Sequence, residues 1–79
     1  MTLLWVRANA ILGGKHVHGY RHPTDDRYFI WAKRNRHDDS MRYIMYFKGM
    51  RVGEAVDLDS AKHALEAQKA EMEARHAKP

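Results

Sequence analysis

Apolar and polar residues alternate with a period of two over most of residues 4–56, the pattern of strands that bury one face. In Arg27-Tyr28-Phe29-Ile30-Trp31-Ala32-Lys33-Arg34, residues Tyr28, Ile30 and Ala32 share one side, opposite Arg27, Phe29, Trp31 and Lys33. Large apolar groups on both sides predict a central strand that is partly covered on each face. After a polar turn, Met41, Tyr43, Met45 and Phe47 form one apolar face, and Arg42, Ile44, Tyr46 and Lys48 form the other. The first set is expected to meet a helix, which leaves the second as the working face. Gly49 permits a tight turn, and Val52–Val56 closes the meander.

Upstream, Leu4, Val6, Ala8, Ala10 and Leu12 alternate as on a strand. Leu4, Ala8, Ile11 and Leu12 also fit a helical stripe, which Gly13-Gly14 would terminate. The strand preference of Trp5, Val6 and Ile11 tips the reading towards strand. Lys15–His22, taken as a strand, puts His16, His18, Tyr20 and His22 on one face. Pro23-Thr24-Asp25-Asp26 reads as a turn, and Asn35–Ser40 as a polar loop long enough to be mobile.

Beyond Val56 the period changes. Asp57 or Asp59 is placed to cap a helix, in which Ala61, Ala64, Leu65, Gln68 and Met72 recur on one side. Repeated Ala with Glu and Lys favours helix, and Glu71–Arg75 forms a favourable i,i+4 pair. The stripe thins after Leu65, and residues 74–79 are expected to fray. The predicted fold is α+β: a three- to four-stranded antiparallel meander over about residues 3–56, with one C-terminal α-helix over about 58–75 packed on one face. The whole of 1–79 is read as a single small domain.

Composition narrows this further. A chain of 79 residues buries only roughly 60% of its unfolded surface. It has no cysteine, which excludes disulfides and thiolate metal sites and fits a cytoplasmic location. The apolar start is broken by Arg7 and Asn9, too early for a secretory signal, and nothing approaches the ~20 apolar residues of a membrane span. The net charge of +4 is uneven. Residues 1–56 carry ten Lys and Arg against five Asp and Glu, and residues 57–79 four against five. The sheet therefore holds the positive field, which favours an acidic partner: a protein surface, a nucleic-acid-handling complex or nucleic acid itself.

Candidate chemistry is sparse. His16, His18 and His22 on one strand face, with Asp25 or Asp26 near, are the one conceivable metal set. Their spacing lacks a recognisable second shell, so an aromatic, weakly basic surface patch is the expectation, with interactions that strengthen below about pH 6.5. Ser40 and Ser60 sit in turn and cap contexts, where hydroxyls bond backbone. Gly13-Gly14 lacks the rest of a phosphate-binding loop. No enzyme activity, cofactor or metal is expected. The positive signal is the interleaving of Arg27, Lys33, Arg34, Arg36, Arg42 and Lys48 with aromatic Trp31 and Tyr46 on adjacent strands, since cations neutralise phosphate and flat rings stack on bases. Trp31 itself is expected in the core, because so small a domain has few groups to fill one.

Three basic strands followed by a helix, with Val52-Gly53-Glu54-Ala55-Val56 leading into Ser60-Ala61-Lys62, resemble the DNA-binding arm domain of phage-type integrases, which has an AP2-like layout. That resemblance implies a sheet that enters the DNA major groove. The short reading frame and charged, Ala-rich tail (Ala61-Lys62-His63-Ala64-Leu65-Glu66-Ala67-Gln68) are also similar to stand-alone phage and prophage proteins, among them the anti-CRISPR proteins. That resemblance implies stoichiometric occupation of a partner's functional surface. The expected function is a non-enzymatic binding protein that blocks a nucleic-acid-handling complex such as a CRISPR effector, through Arg34, Arg36, Arg42, Tyr46 and Lys48 with Arg27 and Lys33. The alternatives are direct DNA binding by the same face, and a structural homodimer.

Overall fold

The computed structural model describes residues 4–77; Leu3, where the sheet was expected to begin, lies outside the described residues, as do Lys78 and Pro79. Five strands, β1 (Val6–Leu12), β2 (Lys15–Arg21), β3 (Tyr28–Arg34), β4 (Met41–Phe47) and β5 (Met50–Ala55), precede one helix, α1 (Leu58–Ala77). The strands form a single antiparallel sheet in sequence order. The architecture is α+β, with five strands where three to four were expected, and β3 is the central strand.

The extra strand comes from the ambiguous N-terminal segment. Gly13 and Gly14 have φ of 57° and 81°, the pair of positive angles a two-residue type I′ hairpin needs. They turn β1 onto β2 and do not end a helix. Lys48 and Gly49, at φ 54° and 80°, make the same kind of turn between β4 and β5.

The helix packs over β3, β4 and β5. On this side Tyr28, Ile30 and Met45 meet Ala61 and Leu65, with Tyr43, Phe47, Ala55 and Leu58 around them. Leu58 completes the stripe in place of Ala64, which is exposed. Asp57 is the cap: its carboxylate accepts from the Ser60 N–H at 2.7 Å and from the Ser60 hydroxyl at 3.0 Å. The helix continues to Ala77 where fraying from residue 74 was expected. Two i,i+4 ion pairs, Lys69–Glu73 and Glu71–Arg75, run along its last turns, and Met72 accepts the Tyr28 hydroxyl at its sulfur, 3.7 Å away.

The tryptophan in this core is Trp5, at 5% exposure. Its indole N–H donates to Glu66 at 3.3 Å, and its ring meets His22 edge-on at 5.3 Å. Trp31 is half-buried on the opposite side of the sheet, contrary to the expectation that it fills the core. Leu65 is fully buried. Its replacement by Ala is expected to cost about 2–5 kcal/mol, against roughly 4–12 kcal/mol for a whole chain of this length. Urea titration of Leu65→Ala should therefore show a midpoint near or below half that of the wild type.

Candidate anion-binding face

The face turned away from the helix carries Lys15, Val17, Gly19 and Arg21 of β2, Phe29, Trp31 and Lys33 of β3, and Arg42, Ile44 and Tyr46 of β4, as the cross-strand pairs Gly19–Trp31, Arg21–Phe29, Phe29–Tyr46, Trp31–Ile44 and Lys33–Arg42 require. No helix among the described residues covers it, yet Val17, Phe29 and Ile44 are only 4, 8 and 7% exposed. The cover comes from the sheet itself. The β2–β3 ladder is confined to Gly19–Arg21, and β1 residues Ala8–Leu12 line a depression together with Phe29 and Tyr46. The β1–β2 hairpin thus curls across the helix-free face and makes it concave.

Gly19 sets this bend. A Cβ there would stand 1.8 Å from the Ile30 carbonyl oxygen and 3.0 Å from the Phe29 ring, so only the bare backbone permits the approach. The β2–β3 register directs Lys15, next to the hairpin turn, to the Lys33 end of β3, and the curl carries it across the face towards β4 and β5. Lys15, Lys33, Arg34, Arg36, Arg42 and Arg51 line one depression of about 640 Å³, together with His37 and a single carboxylate, Glu54.

A β-bulge completes this set. Regular pairing continued from Tyr43–Ala55, Ile44–Glu54 and Met45–Gly53 would place Arg51 opposite Phe47, on the helix side. A register shift between Met45 and Tyr46 moves it opposite Tyr46, since one extra residue exchanges the two faces. Arg51 and Glu54 then lie on the same face, and Glu54 bridges two arginines: Arg42 donates to one carboxylate oxygen at 3.0 Å and Arg51 to the other at 2.7 Å. Lys15, Arg34 and Arg36 form no ion pair among the described residues, and Lys33 sits over the Trp31 ring at 5.3 Å.

The loop that presents Arg36 and His37 is closed by its own hydrogen bonds. Asn35 donates its N–H to the Ser40 carbonyl and accepts the His37 N–H at its side chain, at 2.8 and 2.9 Å. Asp38 accepts both the hydroxyl and the N–H of Ser40, at 2.6 and 3.0 Å, and these bonds hold its carboxyl below the usual carboxylate range.

The seven residues singled out from the sequence thus divide between two hollows of the helix-free face. Lys33, Arg34, Arg36 and Arg42 line the depression just described, while Arg27, Tyr46 and Lys48 line a second one of about 460 Å³ with Arg21 and Phe29. Arg27 is committed elsewhere. It grips Asp25 with two nitrogens at 2.8 and 2.6 Å and lies 5.6 Å from the Phe47 ring centre, which makes it a clamp on the 22–28 turn. The Arg27 guanidinium holds the Asp25 carboxyl down to about 2, from 3.8. A carboxyl depressed on folding contributes stability that is present above the unfolded pKa and lost as pH falls through the folded one. Thermal melts should therefore decline as pH drops from about 4 towards 2, and Asp25→Asn should flatten that decline; an unchanged slope would remove the pair from the account.

Sequence reading missed Lys15 and Arg51. Lys15 shares its parity with Val17, Gly19 and Arg21 and was legible from alternation, whereas Arg51 reaches this face only through the bulge.

The three histidines do not converge. His22 is 3% exposed, and its Nδ1 accepts the Thr24 N–H at 3.1 Å beneath Trp5, so it belongs to the core edge and not to a surface patch. His18 is exposed and bonded through Nδ1 to Asn9 at 2.6 Å; among the described residues no group of three metal-ligating side chains forms. Ser40 and Ser60 both donate to aspartates of their own turn or cap. No helix among the described residues is long and apolar enough to cross a membrane. Comparison with protein-family models, with curated proteins and with solved structures finds no match to this chain.

Proposed function

We propose that this chain is a non-enzymatic binding protein of the phage or mobile-element kind, which lays its concave, basic face on an anionic surface of a nucleic-acid-handling complex and blocks it by one-to-one occupation, in the manner of anti-CRISPR proteins. The observation that carries this reading is the depression lined by six cationic side chains and one carboxylate. Such an excess within one hollow favours a partner that brings several negative charges at once. The hollow shape favours a partner element that protrudes.

A second reading is direct DNA binding by the same face. The half-buried Trp31 beside Lys33 supports it, since an aromatic ring flanked by cations can stack on an unpaired base. Insertion of the whole sheet into a major groove is disfavoured by size: five strands at ~4.8 Å spacing span roughly 19 Å, against a groove of about 12 Å.

Gel-shift titration with duplex and single-stranded DNA over a salt series, run beside light scattering, separates these readings. The blocking reading expects a monomer with little affinity for free duplex at physiological salt. Tight binding that weakens steeply with salt would replace it with the DNA-binding reading, and a doubled mass without any partner would point to the homodimer.

A further inference from the structure

The depression already holds one anion of its own. Glu54 meets Arg42 through one carboxylate oxygen and Arg51 through the other, so each guanidinium spends one N–H on it and keeps the rest of its fork free. Neither contact is the two-bond, parallel grip that makes arginine–carboxylate pairs strong. Arg42 and Arg51 are 52% and 59% exposed and Glu54 30%, and ion pairs as open to water as these are weak and exchangeable. Around the triad stand Lys15, Lys33, Arg34 and Arg36, which have no carboxylate partner among the described residues.

We propose that Glu54 is a built-in counter-ion, which occupies the Arg42–Arg51 pair in the free protein and yields it to a phosphodiester group of nucleic acid. This rests on the reading of the depression as the docking surface, and it names the anion. A phosphodiester presents two non-bridging oxygens to the two guanidiniums, as Glu54 does, and brings a neighbouring charge at each nucleotide for the four surrounding cations. The consequence is selectivity. An isolated anion must compete with Glu54 for the arginines, whereas a strand of phosphates gains the flanking cations as well. A strand of phosphates is thus preferred over isolated anions.

Glu54→Gln tests the assignment, because it keeps the side chain's shape and removes its charge. Binding of a fluorescent single-stranded oligonucleotide is measured by anisotropy between about 0.05 and 0.3 M salt. Glu54→Gln is expected to bind about 3- to 10-fold more tightly than the wild type at the low end, with a salt slope steeper by about 0.7, the increment for one more net positive charge set against a single strand once the displaced carboxylate no longer lies beside it. Adding Arg42→Gln to Glu54→Gln should cancel the gain. Equal or weaker binding by Glu54→Gln would overturn the proposal and make Glu54 a scaffold for the arginines. A polyglutamate peptide that gains as much as the oligonucleotide would overturn the assignment to phosphate.

A measurement on the unaltered chain keeps the idea testable should Glu54→Gln fold poorly. Inorganic tripolyphosphate should shift the side-chain Nε–H resonances of Arg42 and Arg51, and the absence of any shift would count against displacement. The ratio of the two chains' affinities decides the role of Glu54 whether or not the blocking reading survives its own test.

Discussion

Replacement of Gly19 by alanine is expected to abolish the native fold or to destabilise it by about 3 kcal/mol or more, well above the ordinary cost of overpacking. The added Cβ would fall 1.8 Å from the Ile30 carbonyl oxygen, and that atom is backbone of the central strand, with no rotamer into which it can retreat. Relief requires β2 to separate from β3 where their ladder spans only Gly19–Arg21, so the β1–β2 hairpin loses its hold on the sheet. Gly53→Ala is the control. There the new Cβ meets the terminal methyl of Met45 at 2.8 Å, and a flexible thioether can move aside. Circular dichroism melts of the two variants should differ sharply, with Gly53→Ala within about 1.5 kcal/mol of the wild type. Comparable stabilities would show that the hairpin does not depend on the close approach at Gly19. Because the same bend carries Lys15 into the basic depression, any folded fraction of Gly19→Ala should also bind polyanions less well.

The second large effect is functional. Arg34→Glu combined with Arg42→Glu changes the charge of the depression by four units and is expected to weaken association with the partner by about 100-fold or more, as charge reversal at a steered interface costs several kcal/mol. The fold should survive. Both arginines are exposed, and the pair that Arg42 makes with Glu54 is of the open kind that contributes only about 0–1 kcal/mol. Stability and binding are thereby separable in one variant. Loss of cooperative unfolding in Arg34→Glu/Arg42→Glu would mean that these side chains support the sheet and that the working surface lies elsewhere. Arg27→Glu should behave in the opposite way. It breaks the bidentate clamp on Asp25 and should lower the melting temperature while affecting the partner less.

Alternation made most of the sheet legible. The faces of β3 and β4 follow directly from the period of two, and the large apolar groups on both sides of β3 mark it as central. Three features escaped that logic. Gly13-Gly14 serves equally well as a helix stop and as a type I′ turn, and only the pairing of Leu12 with Lys15 decides between them. Trp31 was expected in the core that Trp5 fills, because the choice depends on the helix crossing β3–β5 and on where the N-terminal segment meets Glu66. Arg51 was hidden by the bulge at Met45–Tyr46, which has no sequence mark beyond the nearby Gly53. The candidate site was correspondingly half-visible. Its cations on β3, the hairpin loop and β4 were predictable, the face of Lys15 followed from alternation while its nearness to β4 and β5 needed the curl of the β1–β2 hairpin, and Glu54 became part of the site only once Arg51 stood beside it.

The central claim is that the helix-free, basic depression receives the partner. The most direct test is NMR shift mapping of the 15N-labelled chain during titration with a single-stranded oligonucleotide at low salt. The account predicts perturbations confined to residues 15, 33–37, 42, 51 and 54 and absent from the outer face of the helix. Perturbations centred on the helix or on the outer edge of β1, with the depression unmoved, would contradict it.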